Sequence, residues 1–349
     1  MKKRLKCVPL ISEFDKFIRA SASGRRRKSD GNRISPGTIE TYRNCRKILV
    51  KFSAKYGEPT VYTGLTVNKG IFRVRTRYWK QTLFQFTDYL RSCKYCETYI
   101  WNNQKILRAL MHHVGQQYGW PDAGFAVFRL PRLVQPEPLT LSVAQLQELI
   151  VAKFGASFKE NRLALVRDLV ITGCLTALRY GDLMTLRWSN LIEKGGNTWM
   201  EVQSQKTGIM TRLLLPQFLI VMLRKYRKLR KQNIFPGISN VNLNKQIKKL
   251  GHLMGWCDPT QVIKSRNGIL KIERVGKFYE LLTTHTMRRT GITILLQLGM
   301  PEHLVRQISG HAPNSKEFYR YVKIAQNWQD DESQRVYKLI AEHMPTPKK

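Results

Sequence analysis

The chain has 349 residues and carries 60 lysines and arginines against 24 aspartates and glutamates, a formal charge of +36 at pH 7. That length suits two domains of roughly 100–200 residues each, and a surface this basic repels itself unless a polyanion is near, which points to nucleic acid or an anionic membrane. The longest apolar run, Leu213 to Leu223, is broken by Pro216 and Gln217 and falls short of the about 20 residues a membrane span needs, which excludes an integral membrane protein of the helical kind.

The start, Met1-Lys-Lys-Arg-Leu-Lys6, is basic, but the apolar stretch Val8 to Ile11 is too short for a secretory signal, so a cytoplasmic protein is expected. A short helix carries Ile11, Phe14, Phe17 and Ile18. After it comes Gly24-Arg25-Arg26-Arg27-Lys28-Ser29-Asp30-Gly31, a basic segment with no periodicity. It is either a solvated loop or a segment in which Arg25, Arg26, Arg27 and Lys28 track DNA phosphates. Ser35-Pro36 offers an N-cap with proline at the first helical position, and Ile39, Tyr42, Cys45, Leu49, Phe52 and Tyr56 recur at helical spacing up to Gly57. Two further helical patterns follow, through Tyr78, Leu83, Phe86, Tyr89 and Leu90, and through Tyr99, Ile106, Leu110 and Tyr118. Of the six cysteines, Cys93 and Cys96 alone have ligand-like spacing. With no second pair to complete a four-ligand set, they are expected to hold no metal.

The segment Leu130-Pro-Arg-Leu-Val-Gln-Pro-Glu-Pro138 cannot continue a helix, because proline removes amide donors and biases its predecessor to extended geometry. We take 1–129 as an N-terminal helical domain, 130–141 as the linker and 142–349 as a mixed second domain. Ser142-Val-Ala-Gln145 is a capping-box pattern opening a helix with Val143, Leu146, Leu149, Ile150 and Phe154 on its buried face. Arg162 to Leu186 is predicted helical and strongly apolar. Thr198–Ser204 and Ile209–Leu215 are predicted strands joined through Gln205-Lys206-Thr207-Gly208, with a helix from Gln217 to about Arg230. A polar region around Trp256 to Lys271 precedes helices at Val275–Gln297 and Glu302–Ile308, and a last amphipathic stretch lies near Ser333–His343. The fold class is mainly α with a small β-hairpin or sheet.

Breaking DNA without a metal requires cations on the phosphate, a nucleophile, and an acid for the leaving oxygen. In Thr176-Ala-Leu-Arg179-Tyr-Gly-Asp182, Arg179 lies on the predicted apolar helix, where an unpaired guanidinium is costly, and Asp182 at i+3 can hold it. Taken in isolation, a purely structural Arg–Asp helix pair is the better reading. Lys206 stands at the hairpin tip, where most lysines are simply solvated. Thr283-Thr-His285-Thr-Met-Arg288 opens an apolar helix and places His285 and Arg288 near its N-terminus, where amide donors favour anions. The same H-x-x-R spacing occurs again in His303-Leu-Val-Arg306. Finally, Ser309-Gly-His311 precedes Phe318-Tyr319-Arg320-Tyr321, which offers two phenols.

Taken together, these residues resemble the tyrosine recombinase (phage integrase) family, most closely integrases of Bacteroides-type mobile elements. That family carries, in order, an arginine in a TGLRxxEL-like motif, a hairpin lysine, H-x-x-R, a Gly-His pair and a nucleophilic tyrosine, and all of them occur in that order across residues 176–321. Spacing settles the duplicate, since the family's H-x-x-R arginine lies well ahead of Gly-His, as Arg288 does and Arg306 does not. This chain departs from the pattern at Ala177, where the family usually has glycine, at Asp182 for the commoner glutamate, and at the family's tyrosine position, which holds Arg320. Tyr321 is the favoured nucleophile, if the loop Ala312–Ser315 contains one extra residue, and Tyr319 the alternative.

The resemblance implies a two-domain clamp, a SAM-like core-binding domain followed by an α+β catalytic domain, acting on a double-stranded recombination site in the bacterial cytoplasm. It implies Arg179, Lys206, His285, Arg288, His311 and Tyr321 as catalytic, Asp182 as supporting, and a 3′-phosphotyrosyl intermediate with no cofactor. One phosphoester replaces another, so no nucleotide is consumed. It further implies a monomer when free and a homo-tetramer on DNA, with Trp328 to His343 either exchanged between protomers or capping its own. Two other readings stay open: an inactive integrase-derived DNA-binding protein and a type IB topoisomerase-like enzyme.

Overall fold

The computed structural model describes residues 6–63, 69–118, 136–154, 158–205, 208–227, 232–266, 269–312 and 315–342. Helices dominate, with small antiparallel sheets. The chain divides into two compact units, Met1–Pro136 with Ile263–Glu273, and Glu137–Val262 with Arg274–Lys349. Within the expected linker, 130–135 lies outside the described residues, and 136–141 has no regular structure.

In the first unit, strand β1 (Lys6–Pro9) leads into helix α1 (Leu10–Ala22) and pairs with β2 (Thr60–Thr63), which follows α2 (Pro36–Tyr56). The Ser35 hydroxyl accepts from the Thr38 amide at 3.3 Å, Pro36 occupies the first turn, and Gly57 ends α2 at φ 86°, a conformation open to glycine at little cost. Helices α3 (Lys69–Ser92) and α4 (Glu97–Tyr118) complete the unit. Their apolar faces close over Phe14, Phe17, Phe52, Trp79, Phe86 and Leu110.

The second unit opens with α5 (Val143–Val151), whose Ser142 and Gln145 form the reciprocal capping box. The predicted continuous helix Arg162–Leu186 is instead two: α6 (Phe158–Thr176) stops, residues 177–179 are non-helical, and α7 (Tyr180–Met184) is a single short turn. Strands β3 (Leu191–Lys194), β4 (Asn197–Gln203) and β5 (Met210–Leu215) form an antiparallel meander, with Met200 opposite both Leu191 and Leu213. On β5, Thr211, Leu213 and Leu215 are buried while Met210, Arg212 and Leu214 are exposed, the period of two expected of a one-sided sheet. Helix α8 (Gln217–Arg224) is shorter than predicted, with 225–227 already in turns.

Helix α9 (Asn240–Leu253), capped by Ser239, was not evident from the sequence. The polar region after Trp256 forms a two-stranded ribbon, β6 (Pro259–Arg266) with β7 (Ile269–Lys277), so residues 275–277 are strand rather than helix. Then come α10 (Phe278–Leu281), α11 (Thr284–Gln297), α12 (Glu302–Ser309) and α13 (Lys316–Glu342). The last amphipathic stretch is therefore not a separate element, since α13 runs unbroken for 27 residues from the tyrosine motif. The main core joins α5, α6, the sheet, α8 and α9 through Leu149, Leu169, Met200, Leu215, Leu219 and Leu243. A smaller cluster of Ala177, Ile292, Leu296, Val305, Phe318 and Ala325 seats the start of α13.

Candidate active site

The site is built where α6 breaks. Ala177 is fully buried and takes a left-handed backbone conformation, φ 52°, that L-residues other than glycine, asparagine and aspartate seldom adopt. The turn redirects the chain, and Arg179 emerges in extended geometry (φ −70°, ψ 152°) at the head of α7. Arg179 is thus not on an apolar helix as expected from its sequence context; it stands at a bend, half-buried. Its Nη1 donates to Ser204 Oγ at 3.0 Å and its Nη2 to the Gly310 carbonyl at 3.4 Å.

Asp182 meets Arg179 through an intermediary. The Ser204 hydroxyl donates to Asp182 Oδ2 at 3.2 Å while accepting from Arg179, and the Gln205 amide donates to Asp182 Oδ1 at 3.0 Å. The buried carboxylate therefore orients both the guanidinium and the base of the β4–β5 turn. Lys206 lies outside the described residues; on either side of it, the Ser204 amide donates to the Ile209 carbonyl at 2.9 Å and the Gly208 amide to that of Ser204 at 2.8 Å.

Arg288 comes from α11. The Thr284 amide and hydroxyl are held by Asn244 and Asn240 of α9 at 2.8 and 3.0 Å, which fixes the helix start. Arg288 is only 6% exposed, and its Nη1 donates to the Ala177 carbonyl at 2.8 Å and its Nη2 to the Ser309 carbonyl. Burial, with the nearby charge of Arg179, pulls this guanidinium down to about 10, against a weaker upward pull from Tyr321 and Asp182; it stays protonated at neutral pH. His285, one turn earlier on α11, is exposed.

Gly310 ends α12 at φ 58°, and the His311 amide turns back to the Arg306 carbonyl at 3.0 Å. The Ser309 hydroxyl, spending its proton on the Val305 carbonyl at 2.7 Å, lies 2.8 Å from His311 Nδ1. With the hydroxyl proton on that carbonyl, Nδ1 carries the proton of the neutral ring and Nε2 the lone pair. Burial, followed by the charges of Arg288, Arg179 and Arg306, pulls His311 down to about 4, so the ring is neutral at physiological pH.

Tyr321, on the first turns of α13, is half-buried, its ring centre 6.1 Å from that of His311 and its side chain against the Ala177–Phe318 cluster. Tyr319 is 50% exposed, with its hydroxyl 3.5 Å from Arg306 Nη2. Two residues apart on a helix, the phenols face different ways. The structure thus gathers Arg179, Arg288, His311 and Tyr321 in one place, with Asp182 behind Arg179. Sequence reasoning missed Ser204 and Ser309, single serines whose only signal was their place beside Lys206 and before Gly-His.

In the first unit, Arg25, Arg27 and Lys28 are exposed, whereas Arg26 is drawn inward, its guanidinium 4.2 Å from the Phe17 ring centre and donating to Ser21 Oγ and Tyr42 Oη at 3.3 and 3.4 Å. Arg26 thus takes part in packing and differs from its three neighbours. Among the described residues, no helix is long and apolar enough to cross a membrane, and no group of histidine, cysteine, aspartate or glutamate side chains is arranged to hold a metal ion.

No protein-family model matches the sequence, and no curated protein does. The likeness is one of structure. A lambda integrase dimer bound to a COC' core site is similar over 90% of this chain and 95% of the integrase chain, with a TM-score of 0.59 at 14% identity. The Tn1549 transposon integrase in complex with circular intermediate DNA is similar over 94% and 99%, with a TM-score of 0.58 at 15% identity. The XerH site-specific recombinase, in a post-cleavage complex with a palindromic difH substrate, gives 93%, 95% and 0.56 at 15% identity. This mainly helical chain, with its small sheets, therefore has the fold of the tyrosine recombinases.

Proposed function

We propose that the protein is a site-specific DNA recombinase of the mobile-element integrase type, cleaving and rejoining strands through a covalent 3′-phosphotyrosine formed by Tyr321. The observation that carries this reading is the meeting of two anchored guanidinium groups, Arg179 and Arg288, with a neutral imidazole and the half-buried phenol of Tyr321. A backbone phosphate between the guanidiniums receives charge-assisted bonds that strengthen as negative charge grows in the transition state. The phenol oxygen forms a bond to phosphorus as the bond to the 5′-oxygen breaks. The phenol's proton has an acceptor in His311 Nε2, whose basicity rises once a phosphate offsets the arginine field. By the family resemblance, Lys206 protonates the departing 5′-oxygen and His285 adds a hydrogen bond. A 5′-hydroxyl from a partner duplex reverses the step and completes exchange.

The same reading assigns the first unit to core binding, with Arg25, Arg27 and Lys28 on the DNA backbone, and places four copies on paired sites. The exposed Trp328, Val336, Tyr337 and Ile340 of α13 suit docking on a neighbouring copy. The test uses a pool of nicked duplexes with randomised sequence, incubated with the full chain and resolved in SDS. A covalent protein–DNA adduct that maps to Tyr321 is expected. Tight binding with no adduct on any duplex leaves only a DNA-binding protein, and an adduct mapped to Tyr319 reassigns the nucleophile.

A further inference from the structure

The second H-x-x-R spacing, His303 to Arg306, has no part in the reading above, yet its arginine is tied to the helix that carries Tyr321. Arg306 lies on α12. Its Nη2 pairs with Glu302 Oε2 at 2.9 Å and approaches the Tyr319 hydroxyl at 3.5 Å, and its Cζ sits 4.9 Å from the ring centre of buried Phe318 and 5.2 Å from that of Tyr319. Its own carbonyl accepts the His311 amide at 3.0 Å. One residue therefore grips both sides of the loop between α12 and α13, and the rings it stacks on belong to the turn that presents Tyr321.

We propose that Arg306 is a positioning residue for strand cleavage, clamping Phe318 and Tyr319 against α12 so that the Tyr321 phenol stays beside His311. The inference rests on the recombinase reading. A part-buried i,i+4 pair with Glu302 would by itself contribute little. A planar guanidinium lying over two rings while paired at its edge restrains the helix in a way a flexible ammonium cannot. The charge of Arg306 also contributes to the field that keeps His311 neutral, so removing it has a consequence beyond loosened packing.

The experiment compares the parent with Arg306→Ala and Arg306→Lys on the duplex recovered from the adduct selection. It measures adduct formation in a single turnover, DNA affinity, and the His311 titration by NMR. Arg306→Ala is expected to slow adduct formation at least tenfold, to leave DNA affinity within about twofold, and to move the His311 titration upward. Arg306→Lys is expected to hold that titration near the parent's but to recover only part of the rate. A parent-like rate in Arg306→Ala, or an unmoved His311 titration, overturns the proposal. Should Arg306→Ala fail to fold, Arg306→Lys decides alone, and a parent-like rate there is equally fatal. If the parent itself forms no adduct, the recombinase reading has failed; if the parent reacts and the variants match it, only the role of Arg306 has.

Discussion

Gly291 lies so close to Cys174 that a Cβ at position 291 would stand 2.2 Å from the Cys174 carbonyl oxygen, and 3.2 Å from the Ala177 methyl. This approach lets α11 pack directly on α6 and brings Arg288, one turn earlier, onto the Ala177 carbonyl. Gly291→Ala must push backbone from backbone. A cost of about 1–3 kcal/mol is expected, in the range of core overpacking, together with a slower adduct reaction. Urea denaturation measures the first and single-turnover cleavage the second.

Ala177 poses a balance of opposing effects. Glycine there relieves left-handed strain of roughly 1–2 kcal/mol, but it loses a buried methyl of about 0.8 kcal/mol and adds chain entropy of about 0.5–1 kcal/mol to the unfolded state. Ala177→Gly is expected to stay within about 1 kcal/mol of the parent. Ala177→Val puts a branched side chain into the same backbone conformation beside Gly291 and should cost about 2 kcal/mol or more. A stable valine variant would contradict the conformation described for residue 177.

The Ser204 relay predicts a split between stability and chemistry. Ser204→Ala removes the hydroxyl joining Arg179 to Asp182 and strips a buried carboxylate oxygen of a donor, at about 1–3 kcal/mol. Cleavage should slow by more than that loss of stability explains, because the guanidinium also loses its orientation. Measured at a temperature where the variant is fully folded, an undiminished rate would show that Arg179 needs no such support.

Tyr321→Phe should abolish the adduct with DNA affinity unchanged, whereas Arg179→Ala should slow cleavage by about 10²-fold or more, as loss of a charge-stabilising donor does elsewhere. Both are read from gels and binding isotherms on the same duplex. Affinity itself should fall steeply with salt, with a log–log slope near −0.9 per phosphate contacted.

His311 makes the protein sensitive to acid. Between the ordinary histidine value of 6.5 and about 4, the unfolded chain binds a proton that the folded chain does not. Its contribution to stability is therefore complete above about pH 6.5 and is lost as the pH falls toward 4. Bound duplex supplies negative charge to the same arginines, so the histidine titration followed by NMR should move upward when DNA is added. A titration that stays near 4 in the complex would place the DNA backbone away from Arg179 and Arg288.

The sequence disclosed what local chemistry decides. Ser35 with Pro36, and Ser142 with Gln145, mark helix starts because a cap is formed by residues three apart. The order of Arg179, Arg288, His311 and Tyr321 was legible through family resemblance. Their surroundings were less so, because an alanine gives no warning of a left-handed turn and the apolar run through Thr176 looks continuous. The β6–β7 ribbon was hidden for another reason: Ile269, Ile272 and Val275 are exposed, so no buried face imposes alternation on it. Helix α9 did leave a trace, in Leu243, Ile247 and Leu250 behind Ser239, diluted by lysine and asparagine.

Among the described residues, Arg288 is hooked to two main-chain oxygens, at Ala177 and Ser309, rather than to any side chain. Every amino acid brings a carbonyl, so substitutions at those two positions leave the acceptors in place as long as the backbone path is kept. A frame of this kind tolerates wide sequence drift around a fixed cation. Divergence can erase the recognisable letters of such a protein long before it disturbs the geometry those letters once encoded.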